Sequence, residues 1–369
     1  MKKTLIALAA LAATGAVMAQ SSVTLYGVVD VGFTSVNNSS GTNSLGQAST
    51  DNKGLTSGNM TTNRLGFRGT EDLGGGLKAN FLIETSLAAD APAPSSIGDR
   101  GAWVGLSGGF GEVRLGREYS MSFWSGALFS PFGTGGVGNG FGFANRALAY
   151  GATGQSNGTW NNNAITYSTP RMGGLQAHAQ YAFDEQPAVG NNAGRSAGLR
   201  LNYSAGPLMA ELAYSDTDGG ATLATASPLL GLTTSADHKS VVGGVSYDFG
   251  VAKLMTNFGQ EKANNTATGA AIAKVTNFEI GAVAPVGPGR LRASYNSSKI
   301  DVVGLATDPK ITKFAVGYIY DLSKRTAVYA TVASLKNKNG ADLALNGPAS
   351  RNAVNGRSTG YNVGISHVF

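Results

Sequence analysis

Apolar and polar residues alternate along most of the chain with a period of two. From Val23 to Phe33 the odd positions are apolar except for Gly27, whereas the even positions are mostly polar or small. The same alternation recurs in segments that begin at Leu175, Leu199, Phe314 and Tyr361. Because successive side chains of a strand point to opposite faces, this pattern predicts β-strands with one apolar and one polar face.

Two kinds of connection separate these strands, and they alternate. The short ones are 71–76, 107–111, 170–174, 204–207, 248–252, 284–289 and 321–326. The long ones are 37–60, 86–99, 118–161, 184–195, 216–238, 261–273, 297–310 and 336–358. Seven short turns and eight long loops require sixteen strands, and both chain ends then lie beside the short turns. A closed antiparallel barrel has this even number.

The length of the strands suits a membrane barrel. They span about 8–12 residues, and about 9–11 tilted residues cross a bilayer. Hydrocarbon offers no hydrogen-bond partners to an open sheet edge, so closure is needed there. Aromatic residues lie near strand ends, as in the girdles of such barrels: Tyr181, Phe183, Tyr203, Tyr214, Tyr247, Phe249, Tyr320 and Phe369. We therefore expect an all-β transmembrane barrel in the outer membrane, with its short turns periplasmic.

A large soluble β-sandwich or β-solenoid is the alternative fold, because its strands would also alternate. A sandwich would bury its apolar face and should contain more Leu and Ile, and nothing would place its long loops at one end. A solenoid needs a fixed repeat length, and the sequence has none.

Composition agrees with a barrel of the cell envelope. The 369 residues include 53 Gly but only 11 Pro, which favours bends and turns while keeping Pro out of paired strands. The chain has no Cys, which is compatible with an oxidising compartment. Lys2 and Lys3, an apolar stretch and Val17-Met18-Ala19 predict a signal peptide over residues 1–19, with 20–369 as the mature barrel. The mature net charge of +4 is too small and dispersed to indicate nucleic-acid binding.

Several motifs resemble the general diffusion porins of Gram-negative outer membranes, over the whole mature chain. They are Ser22–Asp30, Arg64–Gly74, Phe110–Arg117, Tyr247–Gly250, Asp321–Thr326 and the terminal Phe369. The resemblance implies a homotrimer in contact with outer-membrane lipid and lipopolysaccharide, and passive diffusion of small hydrophilic solutes. It also implies that Phe369 is the signal recognised by the barrel-assembly machinery.

The resemblance further implies that the long third loop, 118–161, folds into the lumen as a constriction. After Glu118 this loop carries a single formal charge, Arg146. Members of the family commonly place acidic residues in this loop opposite basic wall residues, so the chain departs from the family pattern here.

Odd and even positions of a strand face opposite sides of the sheet. This strand parity predicts that charged residues on the side opposite the apolar face point into the lumen. The inward basic candidates are Arg64, Arg68, Lys78, Arg114, Arg200, Lys253, Arg290, Arg292 and Lys313, with Arg100 at a strand start. The inward acids are fewer: Asp30, Glu84, Glu112, Glu211 and Glu279. An excess of cations in a narrow pore attracts anions, so we expect an anion-favouring pore. Any one of these Arg residues could instead be paired with an acid and contribute little to conduction.

By resemblance, Arg64 and Arg100 are the leading constriction residues, followed by Arg68, Arg146 and Glu118. A substrate-specific porin for small anionic solutes is the nearest alternative, and a surface-binding or adhesin barrel is a second. An enzymatic barrel has little support, since His178, His238 and His367 are far apart and have no partners at catalytic or metal-ligand spacing. We expect neither a cofactor nor a metal.

Overall fold

The computed structural model describes residues 22–91, 96–140, 159–184, 194–219, 236–345 and 350–369. These residues form one antiparallel sheet and a short helix. The first strands are β1 Ser22–Asn38, β2 Asn52–Ser57, β3 Arg64–Gly74, β4 Leu77–Ser86, β5 Gly101–Gly108 and β6 Gly111–Tyr119, followed by helix α1 Met121–Leu128. Then come β7 Trp160–Ser168, β8 Leu175–Ala182, β9 Ser196–Ala205, β10 Leu208–Thr217, β11 Ala236–Asp248 and β12 Lys253–Asn265. The last strands are β13 Ala271–Val286, β14 Gly289–Val302, β15 Lys310–Asp321, β16 Thr326–Lys338 and β17 Arg357–Val368.

The sheet closes into a barrel because the last strand pairs with the first. From β3 to β17 each strand pairs with the next one along the chain, and β17 returns to β1. Strand β1 pairs with β3 over Ser22–Val28 and with β2 over Val31–Val36. Strands β2 and β3 are therefore two parts of one barrel strand, interrupted at residues 58–63. The barrel has sixteen strands, as the alternation of turns and loops predicted.

Several strands extend further outward than the sequence pattern predicted. The loop expected at 261–273 is a short connection, because β12 continues to Asn265 and β13 begins at Ala271. The first long loop likewise contains β2. The outward-facing residues of these extensions, such as Lys262, Lys299 and Asp301, are polar because they project beyond the hydrocarbon layer, where an apolar outer face is not required. Because these extensions lack an outward apolar face, their sequences resemble those of loops.

The inner wall of the barrel is polar and the outer wall is apolar, the reverse of a soluble protein. Asp30, Glu84, Lys313 and Asn257 are buried on the inner side. Large apolar residues are exposed around the outer wall, among them Val29, Phe33, Phe67, Val104, Leu115, Ile165, Leu199, Leu212, Val245, Phe278, Leu291, Phe314, Val332 and Ile365. An exposed apolar surface of this extent marks a surface that faces lipid.

An apolar cluster fills part of the outer half of the barrel. Val275, Ile300 and Leu335 point inward from their strands and pack with Ala341 and Leu345, which follow β16. The loop after β16 therefore folds back into the mouth and narrows it on that side. Among the described residues no helix is long and apolar enough to span a membrane.

Candidate constriction and pore-lining site

Loop 3, residues 120–159, enters the barrel as soon as β6 ends. Ser120 caps α1, since its hydroxyl accepts a hydrogen bond from the Phe123 amide at 3.3 Å. Such a side-chain cap satisfies one of the free amides at a helix start. The described part of the loop, up to residue 140, then follows the inner wall.

Inward-facing glycines make room for the loop on four alternate strands. A Cβ atom at Gly198 of β9 would lie 2.9 Å from Cγ of Met121, and one at Gly244 of β11 would lie 2.2 Å from the Phe129 ring. The corresponding distances are 2.5 Å from Gly281 of β13 to Pro131 and 3.1 Å from Gly317 of β15 to Phe132. A side chain at Gly244 or Gly281 would collide with the loop, whereas one at Gly198 or Gly317 would crowd Met121 or Phe132.

Polar contacts fix the loop between these glycines. Ser125 donates a hydrogen bond to the carboxylate of Glu211 at 3.0 Å, and Ser130 donates one to Glu279 at 3.0 Å. Arg292 donates to the Pro131 carbonyl at 3.3 Å. Lys313 donates to the Gly138 carbonyl at 2.7 Å and also to the Asn139 carbonyl. Charged donors and acceptors make the stronger hydrogen bonds in proteins, so these contacts hold the loop firmly.

The loop reaches the opposite side of the lumen at the interruption between β2 and β3. Thr134 contacts Thr62 at 3.3 Å between their hydroxyl oxygens. Gly135 and Gly136 approach the carbonyl groups of Gly58 and Asn59 closely enough to exclude a Cβ atom. The described part of the loop therefore follows the inner wall from β9 round to the interruption between β2 and β3 and narrows the lumen along that arc.

Asp30 anchors that interruption from β1. Its fully buried carboxylate accepts hydrogen bonds from the backbone amides of Asn59, Met60 and Thr61 at 3.0–3.1 Å. It also accepts one from the Tyr329 hydroxyl at 2.6 Å. A carboxylate with four donors is fully engaged, so Asp30 organises the turn that loop 3 contacts.

A cluster centred on Glu84 lies on the inner wall, on β1 and β3 to β6 and at Arg100, directly before β5. Arg100 donates to Glu84 at 2.8 Å and to the Tyr119 hydroxyl at 2.6 Å, and its side chain is only 6% exposed. The Tyr26 hydroxyl donates to the other oxygen of Glu84 at 2.9 Å. Arg64 lies 3.9 Å from Glu84 and is 26% exposed. Glu84 therefore neutralises Arg100 more completely than Arg64.

A second cluster lies beside the first and contains Glu118. Arg114 donates to Glu118 at 2.5 Å and to Glu112 at 2.7 Å, and its guanidinium lies 4.4 Å from the centre of the Trp103 ring. Two carboxylates thus surround one guanidinium. Within the described residues no group of three His, Asp or Glu side chains could hold a metal ion.

The sequence comparisons identify the family to which this barrel belongs. The family model described as "Gram-negative porin" matches residues 4–340. The chain is 41% identical to outer membrane porin protein 32 of Delftia acidovorans, and the match covers 100% of both chains. This chain belongs to the Gram-negative porin family. It is an outer-membrane porin, a member of a family of channel proteins.

A solved structure of a porin matches this barrel over nearly its whole length. The anion-selective porin from Comamonas acidovorans superimposes with a TM-score of 0.82 and 36% sequence identity. The match covers 95% of this chain and 100% of that one.

The residues predicted to form the constriction lie in different environments in this porin. Arg64 and Arg68 point into the lumen, and Arg68 is exposed, with its guanidinium 5.2 Å from the centre of the Tyr26 ring. Arg100 is buried behind Tyr119, and Glu118 is buried against Arg114. Arg146 lies outside the described residues.

The predicted lumen-wall cations also divide into groups. Arg292 and Lys313 are buried under loop 3 and bind its carbonyl groups, so they do not face open water. Arg200 lies 3.7 Å from Glu211 and 5.9 Å from the Trp124 ring centre. Towards the periplasmic turns, Lys78 and Arg290 are exposed and Lys253 is half-buried. Arg290 pairs with Asp321 at 3.1 Å.

Sequence reasoning missed two groups of residues in this porin. The first is the set of glycines that receive loop 3, whose inward parity on strands β9, β11, β13 and β15 was a usable signal. The second is the three tryptophans, Trp103, Trp124 and Trp160, each of which has an Arg guanidinium within 6 Å of its ring centre. Tryptophan in a membrane barrel is expected in the outer girdles, and the alternation is ambiguous over residues 102–106, so the sequence offered no signal that Trp103 points into the lumen.

Proposed function

We propose that this porin favours anions as small hydrophilic solutes and ions diffuse passively through its pore. The observation that carries the proposal is a difference in exposure between inward acids and inward bases. The acids are engaged by hydrogen bonds or ion pairs and most of them are buried, whereas Arg64 is partly exposed and Arg68 is exposed.

The inward carboxylates have protein partners that limit their effect on a passing ion. Asp30 and Glu279 are fully buried, and Glu211 is buried below α1. The carboxylate of Glu84 accepts from Tyr26 and Arg100. Each of these negative charges is therefore partly compensated before it can act on the solution in the pore.

Arg64 and Arg68 are less compensated. The pair between Arg64 and Glu84 is long, at 3.9 Å, and Arg68 forms no ion pair with any described residue. A unit charge about 4 Å from an ion in water contributes about 1 kcal/mol, and more near protein of lower dielectric constant. One kcal/mol corresponds to roughly fivefold enrichment of anions over neutral solutes. The name of the Comamonas acidovorans structure, an anion-selective porin, supports the same proposal.

Reversal potentials in planar bilayers test this proposal. Under a KCl gradient we expect the potential to take the sign for chloride preference. The double variant Arg64→Gln/Arg68→Gln should move it towards zero. Arg325→Gln is the matched control, because it removes an exposed charge from a periplasmic turn. A potassium preference of the native pore, or an equal shift in the control, would contradict the proposal.

The remaining expectations from the family resemblance are part of this proposal. They are cleavage after residue 19, assembly as a homotrimer, contact with outer-membrane lipid and lipopolysaccharide, and recognition of Phe369 by the barrel-assembly machinery. Because the family is one of channels, we expect no catalytic activity. Mass determination of the purified protein, with chemical cross-linking, tests the processing and the trimer.

A further inference from the structure

A recess of about 350 Å³ opens in the inner wall beside Arg68. Its lining includes Thr24, Arg68, Asn80, Leu82 and Trp103. These residues lie towards the periplasmic ends of β1 and β3 to β5, below the Glu84 cluster. Cavities of roughly 300 Å³ and above accommodate small organic molecules, so the recess is large enough for one.

Strand register aligns the recess residues in a row across the wall. Thr24 pairs with Arg68, Arg68 with Leu82, and Leu82 with Trp103. Neighbouring strands lie about 4.8 Å apart, so the strands that carry Arg68 and Trp103 are about 10 Å apart. A cation and an aromatic ring therefore lie in one row of the inner wall, two strands apart, with the side chain of Leu82 between them.

The cationic end is available to a ligand. The guanidinium of Arg68 is exposed, contacts the Tyr26 ring at 5.2 Å, and has no carboxylate partner among the described residues. Arginine binds carboxylates in a bidentate geometry that a point charge cannot provide. Thr24 and Asn80 add polar groups nearby.

The apolar end is held in place by neighbouring groups. Arg114 lies over the Trp103 ring at 4.4 Å. Gly101 lets Leu82 lie close to the wall, because a Cβ atom there would be 2.9 Å from Cδ2 of Leu82. One acid, Glu112, also lines the recess, but it is bound by Arg114 at 2.7 Å and by Asn80 at 3.2 Å. The recess therefore combines an available cation with an ordered apolar and aromatic surface.

We infer that this recess is a binding site for small aromatic carboxylates, with the carboxylate on Arg68 and the ring against Leu82 and Trp103. The inference rests on the proposed anion preference and names one class of anion that the pore would bind during passage. A pore with such a site has saturable conductance for that class of solute, whereas short aliphatic carboxylates would pass without saturation.

Benzoate and acetate are the probes for this site. Single-channel chloride current should fall with increasing benzoate to a plateau, whereas acetate at the same ionic strength should cause no saturable decrease. Arg68→Gln and Trp103→Leu should each raise the benzoate concentration for half effect by about fivefold, the usual scale for one aromatic contact or charged hydrogen bond. Trp103→Phe keeps a ring and should preserve most of the native response.

These measurements distinguish failure of the binding site from failure of the proposed anion preference. Trp103→Leu leaves every charge unchanged, so its KCl reversal potential should equal that of the native pore while its benzoate response weakens. An unchanged benzoate response in both Trp103→Leu and Arg68→Gln, with native conductance showing that the variants fold, would overturn the binding site. A native pore without chloride preference would overturn the proposed function instead.

Discussion

The ring of Phe369 lies directly over Gly27 on the outer wall, where the last residue of the chain meets the first strand. The two residues exchange both backbone hydrogen bonds, each at 3.1 Å. A Cβ atom on Gly27 would lie 2.4 Å from the Phe369 ring and 2.8 Å from the Arg64 carbonyl oxygen. The seam that closes the barrel therefore depends on the absence of a side chain at this position.

Gly27→Val should weaken barrel closure. The added atoms would collide with the ring and with the backbone of β3, and overpacking of this kind costs about 1–3 kcal/mol. We expect a lower apparent transition temperature in detergent, followed by circular dichroism, and a lower yield of folded protein. Gly109→Val is the control, because a Cβ atom there meets nothing within 4 Å. Equal stability of the two variants would show that the Phe369 ring is not constrained by Gly27.

Asp30→Ala should destabilise the turn between β2 and β3. It would leave the buried Asn59 amide, the half-buried Met60 and Thr61 amides and the buried Tyr329 hydroxyl without their acceptor. Each unsatisfied buried group costs about 1–3 kcal/mol, so a loss of about 3 kcal/mol is expected.

Thermal unfolding followed by circular dichroism measures this loss. Because loop 3 contacts the same turn, single-channel conductance should change as well. Asp301→Ala provides the comparison, since Asp301 is half-exposed and pairs only loosely with Lys274 at 3.5 Å. If the two variants unfold at the same temperature, Asp30 does not organise the turn.

Much of the barrel could be predicted from the sequence, because lipid imposes a strict rule on the outer face. Every lipid-facing position from Val23 to Phe33 had to be apolar or small, so the alternation located the strands, and the count of turns and loops between them gave the strand number. The rule does not apply beyond the hydrocarbon layer. Strand β2 and the outer ends of β12 and β13 therefore had no recognisable pattern.

The candidate site was less predictable, because parity gives the direction of a side chain but not what covers it. Parity predicted that Arg64, Arg292 and Lys313 all point inward. Only the path of loop 3 determines that Arg292 and Lys313 are buried beneath it while Arg64 keeps some exposure. That path depends on contacts between residues more than one hundred positions apart, such as Lys313 with Gly138.

Gly244→Ala should release loop 3 from the wall. Its Cβ atom would lie 2.2 Å from the ring of Phe129, which is fully buried and has little room to move. We expect a changed conductance and additional current levels in single-channel records, because the displaced loop would alternate between positions. Gly259→Ala on the neighbouring strand β12 is the control, since its nearest contact would be an ordinary 3.8 Å. Identical recordings from the two variants would mean that Gly244 does not position the loop.

Anion preference should weaken as salt concentration rises. The partly exposed guanidinium of Arg64 and the exposed one of Arg68 act on ions through water, and the Debye length falls from about 10 Å at 0.1 M to about 3 Å at 1 M. A preference caused by these charges should therefore decline when the same salt ratio is imposed at tenfold higher mean concentration. Size-based discrimination would not change. Reversal potentials measured at both concentrations separate the two origins of selectivity.

The double variant Arg64→Gln/Arg68→Gln identifies which charges produce that salt dependence. The buried pair of Arg100 and Glu84 remains in this variant, and its two charges largely cancel at a distance. We therefore expect the variant to show a weak preference that barely changes between low and high salt. A salt dependence as steep as that of the native pore would assign the selectivity to other cations, such as Lys253 and Arg290 nearer the periplasmic turns.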